Sequence, residues 1–344
     1  MLFTSSWEQS LQSLSSPADK MVFLLDPVIA RHQKEDILSR ACICSIDTVS
    51  SDGSVNEAGK TLQQVEHVWH TLCEHGATRK SLLVNIGGGT VMDIGGFAAS
   101  TYKRGIRYVN IPTTLLGMVD ASVGGKTGFD YMGVKNLIGT YAQPIETIID
   151  TAWLKTLPYE EVLSGYAEMV KHGLLCSETM WSHLLASDCM DDIEVKIRQS
   201  VAFKQQVVDA DFRESGYRKV LNFGHTIGHA LEAYSLQQRH QEPLRHGYAV
   251  MQGMVAALYL SVVLCGMDRS VLRTMSHYMV DHYGRARCAC SDYEQLLAWM
   301  RQDKKNECSG EIGFTLLNQI GKPVVNRVVS EDAIREALDY LFSL

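Results

Sequence analysis

The chain has 344 residues, 46% hydrophobic and 21% charged, with a formal net charge of −7. That length exceeds what one hydrophobic core usually organises and points to about two domains. The composition excludes a largely disordered chain, and the acidic balance excludes a general nucleic-acid binder, which needs a basic surface to displace counterions from phosphates.

In chain order, Met1 to Lys20 shows no basic stretch followed by an apolar run, and no later segment approaches ~20 uninterrupted apolar residues. A cytoplasmic chain is expected. The nine cysteines are scattered, and the tight pairs Cys42/Cys44 and Cys288/Cys290 have one intervening residue where zinc sites have two or more. Buried free thiols are the expectation.

Short apolar runs then alternate with helical stretches: Met21–Leu25, Cys42–Ile46, Ser81–Ile86, Ile106–Ile111 and Thr147–Asp150. This rhythm predicts a parallel sheet covered on both faces, an α/β, Rossmann-like arrangement. Asn56 to His75 has helical spacing at Val65, Val68, Trp69 and Leu72, and Glu57 with Lys60 reads as an i,i+3 contact. After about Leu157–Pro158 long amphipathic stretches take over, predicting a helical second domain. Near its end, Gly310–Leu317 and Val324–Val329 predict a small hairpin before a terminal helix from Glu331.

Four constellations could carry chemistry. Gly87-Gly88-Gly89-Thr90-Val91-Met92-Asp93 follows a strand and opens a helix, so its amides can approach a diphosphate at a helix N-terminus, or it is simply a tight turn with an acid behind it. Ile111–Leu115, Asp120–Thr127 and Lys135-Asn136 read as a loop of hydroxyls, glycines and two lysines suited to phosphate or polyol, or as surface turns. Glu168 and Lys171 share a helix face, as a surface ion pair would. Finally, Arg218, Asn222, His225, His229 and Glu232 fall 4, 3, 4 and 3 residues apart and would form one stripe on a continuous helix. His225 and His229 could then share a metal, with His246 heading another helix as a further ligand and His240 as its rival. A pair of core histidines is the alternative.

In this order and spacing, the Gly-Gly-Gly turn, Ile-Pro-Thr-Thr-Leu, Asp-x-Ser-Val-Gly-Gly-Lys-Thr, Lys-Asn, Ala-Glu-x-x-Lys and Leu-Asn-Phe-Gly-His-Thr-x-Gly-His-Ala resemble the 3-dehydroquinate synthase family of the shikimate pathway, over nearly the whole chain. The resemblance implies an NAD-binding α/β domain over residues 1–157, followed by an all-α metal- and substrate-binding domain over 158–344. It also implies a homodimer and a lyase that converts 3-deoxy-D-arabino-heptulosonate 7-phosphate to 3-dehydroquinate and phosphate, with NAD regenerated in each turnover. Glu168, His225 and His246 become the ligands of a divalent metal, zinc or cobalt, and His229 moves to the substrate side. NAD is expected on Asp26, Glu57, Lys60, Gly87, Gly88, Gly89, Thr90, Val91, Asp93, Thr113, Thr114, Asp120, Lys126, Lys135, Thr156 and Glu161. Substrate is expected on Lys126, Asn136, Lys171, Lys204, Arg218, Asn222, His229 and the Lys304/Lys305 pair, with Arg104 reaching across the dimer. One departure is Tyr248, where a Glu is commoner in the family.

Rival readings are a sugar phosphate cyclase acting on sedoheptulose 7-phosphate, an iron-type polyol dehydrogenase, and a catalytically silent NAD-binding module. Arg218 with Lys204 and Asn222 favours a substrate bearing a carboxylate, which needs cationic partners once desolvated.

Overall fold

The computed structural model describes residues 1–15, 18–31, 43–47, 59–132, 134–237, 243–286, 288–302 and 311–344. It divides into two compact units, Met1–Pro158 and Tyr159–Leu344. Glu57, His240, Lys304 and Lys305 lie outside the described residues.

The first unit is built on β1 (Leu2–Phe3), β2 (Met21–Leu25), β3 (Ile43–Asp47), β4 (Leu82–Gly87), β5 (Arg107–Pro112) and β8 (Glu146–Ile149), in the order β1-β8-β5-β4-β2-β3. Every pairing is parallel. β4 is buried at all positions, which is why its sequence is a nearly continuous apolar run rather than an alternating one. α1 is Trp7–Ser15, α2 Leu62–Glu74 and α3 Gly89–Thr101. Val65, Val68 and Leu72 of α2 pack with Ile94, Phe97 and Ala98 of α3 against Val22, Leu24 and Leu83 of the sheet, each large side chain contributing ~1.5–3 kcal/mol. Thr61 caps α2, accepting from Gln64 N at 3.4 Å.

α3 sits unusually close to the sheet. A Cβ on Gly95 would come within 2.0 Å of Asn85 Oδ1, and Asn85 Nδ2 donates to Asn110 Oδ1 on the neighbouring strand at 2.8 Å. The stretch expected to be a loop after Asp120 is instead an antiparallel hairpin, β6 (Lys126–Tyr131) and β7 (Val134–Tyr141). β7 is largely exposed, so it lacks the alternation that marks a half-buried strand.

The second unit comprises α4 (Tyr159–Cys176), α5 (Glu178–Ala186), α6 (Ile193–Ala210), α7 (His225–Gln237), α8 (His246–Cys265), α9 (Arg269–Tyr283), α10 (Tyr293–Arg301) and α11 (Glu331–Ser343). The expected hairpin is present as β9 (Gly313–Gln319) and β10 (Lys322–Val328). α8 has a mean hydropathy of 1.8 over an 18-residue window, long and apolar enough by composition to cross a membrane. Its residues are nevertheless packed by α4, α7, α9, α11 and β9, the position of a central core helix that is apolar all round.

Arg218 to Glu232 is not one helix. Tyr217–Asn222 is a 3-10 turn, Gly224 takes a left-handed φ of 78°, and α7 starts afresh at His225. The glycine is required twice over, since a Cβ there would also meet Met254 Cγ at 2.6 Å. The expectation of buried thiols is corrected as well: of the described free cysteines Cys189 is buried, whereas Cys73, Cys176 and Cys290 are exposed.

Candidate functional site

In the first unit, three neighbouring strands deliver the expected residues at their carboxyl ends. Asp26 follows β2, Gly88 follows β4 and Thr113 follows β5, and the strand order reverses between β2 and β4. Open parallel sheets bind ligands in the crevice at such a reversal. The glycine turn is tightly packed: a Cβ on Gly87 would meet Val91 Cγ2 at 2.6 Å and Asp26 Cβ at 3.0 Å, while Cβ atoms on Gly88 and Gly89 would press on Thr114 Cγ2 at 3.3 Å and Ala121 Cβ at 3.1 Å. Asp26, Thr114 and the turn holding Asp120 therefore line the same cradle, and Gly88, Gly89 and Thr90 remain partly exposed there. Bare amides at the start of α3 suit a diphosphate. Burial pushes the Asp26 carboxyl above its ordinary range.

Asp93, one turn into α3, is bound by Lys60 Nζ at 2.5 Å, and Lys60 is 4% exposed. Lys60 thus pairs with Asp93 across the fold. Lys126, Lys135 and Asn136 lie on the hairpin, where Asn136 takes a left-handed φ of 50° and its N–H donates to Asp130 Oδ1 at 2.7 Å. Thr156 is exposed at the end of this unit. Arg104 lies past the far end of α3, which at 1.5 Å per residue is ~20 Å from the glycine turn. Lys103 and Arg104 both have positive φ, 49° and 66°. Two successive non-glycine residues in that region store strain of the kind found at functional sites.

In the second unit, α4 supplies Glu168, α7 His225, His229 and Glu232, and α8 His246. Glu168 is fully buried, and Lys171 one turn later forms an ion pair with its Oε2. The alternative of a surface ion pair is set aside, since the pair is interior. Glu168 Oε1 lies 3.6 Å from His225 Nε2 and 3.4 Å from His246 Nε2. Ligand atoms ~2.0–2.2 Å from a tetrahedral zinc stand ~3.3–3.6 Å apart, so a carboxylate and two imidazoles at these separations fit a divalent ion. The rings are also held from behind: His225 Nδ1 faces Phe223 O at 3.1 Å, and His246 Nδ1 faces Glu232 Oε2 at 3.4 Å. A hydrogen bond at Nδ1 leaves the Nε2 lone pair for a metal. Burial disfavours the charged form of His246, but the carboxylates of Glu168 and Glu232 outweigh it and push the imidazole up to about 10. The pocket is electrostatically built for a cation.

His229 packs its ring 5.1 Å from His225 and 5.9 Å from His246. It groups with Glu232 and His246 in a second potential ligand set, so the described geometry alone leaves it beside the first set rather than in it. Lys204 on α6 and Arg218 on the 3-10 turn are buried cations, 5% and 2% exposed. Asn222 Nδ2 donates to Glu214 Oε1 at 3.3 Å, and Glu214 has a φ of 56°. Sequence reasoning passed over Glu214; an acid one turn's length before Arg218 was the available signal. Glu161, expected on the cofactor, is ion-paired to Arg245 at 2.9 Å beside His246.

Residues 52–164 match the family described as 3-dehydroquinate synthase N-terminal, and residues 165–306 match 3-dehydroquinate synthase C-terminal. The 3-dehydroquinate synthase of Parabacteroides distasonis is 44% identical over 297 residues, 85% of this chain and 82% of that protein. That of Mycobacterium leprae is 36% identical over 330 residues, covering 94% and 88%. Among solved structures, 2-epi-5-epi-valiolone synthase from Streptomyces hygroscopicus with NAD+ and Zn2+ bound superposes with a TM-score of 0.82 at 23% identity, over 99% of this chain and 95% of that one. That last likeness is one of fold.

Proposed function

The chain belongs to the 3-dehydroquinate synthase family, and on that premise we propose that it is a lyase converting 3-deoxy-D-arabino-heptulosonate 7-phosphate to 3-dehydroquinate and phosphate, in the cytoplasm, with NAD and zinc or cobalt. The observation that carries the reading is the convergence of Glu168, His225 and His246, with ligand atoms all within 4.8 Å of one another, in a unit that also buries Lys204 and Arg218. NAD is held on the Gly87–Gly89 cradle with Asp26, Lys60, Asp93, Thr113, Thr114 and Asp120; when bound, it supplies a hydride acceptor and donor and the metal a Lewis acid.

The chain's own residues do the rest. Arg218, with Asn222 and Lys204, holds the substrate carboxylate, since a bidentate guanidinium matches a carboxylate's two oxygens. The family resemblance gives the phosphate to Lys126 and Asn136 of the first unit and Lys171 and His229 of the second, groups that hold an anion by charge and hydrogen bonding, so that positioning stands in for a strong protein base.

A homodimer belongs to the same reading. The hairpin exposes Tyr131, Met132, Leu137, Ile138 and Tyr141, with Met132 85% exposed, an apolar strip on an edge strand of the sort proteins cover. Arg104, far from its own glycine turn and strained, is the residue the partner's site receives.

The deciding experiment gives metal-loaded protein the heptulosonate phosphate or sedoheptulose 7-phosphate with catalytic NAD. Phosphate release from the acid alone, abolished by a chelator and without NADH accumulation, is expected. Turnover of only the carboxylate-free sugar would make it another sugar phosphate cyclase, and net NADH a dehydrogenase.

A further inference from the structure

The loop that joins α6 to the 3-10 turn is organised by one carboxylate. Asp211, at the end of α6, accepts four hydrogen bonds: Oδ1 from Ser215 N at 2.9 Å and Ser215 Oγ at 3.0 Å, Oδ2 from Gly216 N at 2.7 Å and Arg218 N at 3.0 Å. These bonds, the one from Arg218 N foremost, hold the carboxyl well below the usual carboxylate range. The next residue completes the clamp, since Phe212 O accepts from Arg218 Nη1 at 2.6 Å. Arg218 is therefore fixed at both ends, its main chain by Asp211 and its guanidinium by the adjoining carbonyl. Its 2% exposure leaves little room for an alternative rotamer.

The loop also needs help to close. Glu214 has a left-handed φ of 56°, a conformation side-chain-bearing residues rarely adopt. Asp211 offsets that cost by gathering three amides of the loop. Only a carboxylate can do so: both oxygens must accept, and the amide of an asparagine would turn donors toward donors on one side. Arg218 and the α6 residue Lys204 flank this loop in the chain, so its shape also sets the spacing of the two buried cations.

We propose that Asp211 is a positioning residue that aims the Arg218 guanidinium at the substrate carboxylate, and so governs preference for the acid over the carboxylate-free sugar phosphate. This rests on the reading of Arg218 given above. Asp211 touches neither substrate nor metal; it acts through the Arg218 main chain.

The test compares wild type, Asp211→Asn, Arg218→Ala and the double variant as metal-loaded enzymes. KM and kcat are measured for the heptulosonate phosphate, together with KM for NAD and thermal midpoints. Removing acceptors of charge-assisted bonds from this loop is expected to raise the KM for the acid roughly tenfold, with a smaller change in kcat and none in KM for NAD. In the Arg218→Ala background the Asp211 substitution is expected to add nearly nothing. Equal penalties in both backgrounds, or parallel rises in KM for acid and NAD, would show a merely structural role and overturn the proposal. Should Arg218→Ala itself spare the acid's KM, the carboxylate reading fails and the proposal with it; a selective Arg218→Ala beside an unselective Asp211→Asn sinks the positioning role alone. If Asp211→Asn does not fold, Ser215→Ala deletes one of the four bonds, and its expected signature is a two- to threefold selective rise in the acid's KM; no selective rise overturns the proposal.

Discussion

Glu232 Oε2 lies 3.4 Å from His246 Nδ1, on the side of the ring away from Glu168. This fixes which nitrogen of His246 faces the ligand cluster. Glu232→Ala is expected to weaken zinc or cobalt binding ~10–100-fold, read by competition with a chelator, while the apo protein keeps its helical circular dichroism. Unchanged affinity would mean that packing alone orients the ring.

α4 and α8 approach each other through Gly247, whose N–H donates to Ser164 Oγ at 3.0 Å and whose added Cβ would lie 1.9 Å from Ser164 O. Because Glu168 lies one turn beyond Ser164 and His246 adjoins Gly247, Gly247→Ala must push Glu168 and His246 apart. We expect a loss of ~1–3 kcal/mol in apo stability by urea unfolding and weaker metal binding by titration. Both quantities should move; metal affinity equal to wild type would refute the coupling.

Lys60 and Asp93 form a largely buried pair, with side chains 5% and 19% exposed. Removing one partner of a buried pair typically costs ~3–5 kcal/mol, and the partial exposure of Asp93 places Lys60→Met near ~2 kcal/mol. Adding Asp93→Leu should restore some of that stability in chemical denaturation. A double variant less stable than the single would contradict loss of the Lys60–Asp93 pair as the cause.

Leu137 and Ile138 are 49% and 36% exposed on the hairpin. Charging both, Leu137→Asp with Ile138→Lys, should leave the thermal midpoint within a few degrees yet shift sedimentation from dimer to monomer, since exposed positions contribute little to folding. A dimer that survives would place the interface elsewhere.

Much of the fold could be read directly. The parallel strands β2, β4, β5 and β8 are largely buried on both faces, and a doubly buried strand shows up as an apolar run whatever surrounds it. β1 and α1 were not anticipated, because a two-residue strand carries no period. β7 escaped for the opposite reason: Val134 to Tyr141 is exposed on both faces, so side-chain alternation had nothing to record. The break at Gly224 overturned the continuous helix, although a glycine inside a helical pattern is a standing warning.

Sequence alone determined the types of residue in each site and the order in which they occur. Three glycines between a strand and a helix, and an imidazole pair four apart, are local facts that one turn of backbone geometry turns into a face. Helical spacing by itself could not choose among His225, His229 and His246, because it presents the first two alike; only the family resemblance singled out Glu168, His225 and His246. Only packing of α4, α7 and α8 decided that Glu168 Oε1 stands 3.6 Å from His225 and 3.4 Å from His246, leaving His229 beside them. Whether Glu168 and Lys171 meet water or each other was likewise settled by burial. Periodicity fixes direction around one helix axis, whereas distance between axes depends on which small residues, Gly247 and Gly228 among them, let the helices touch.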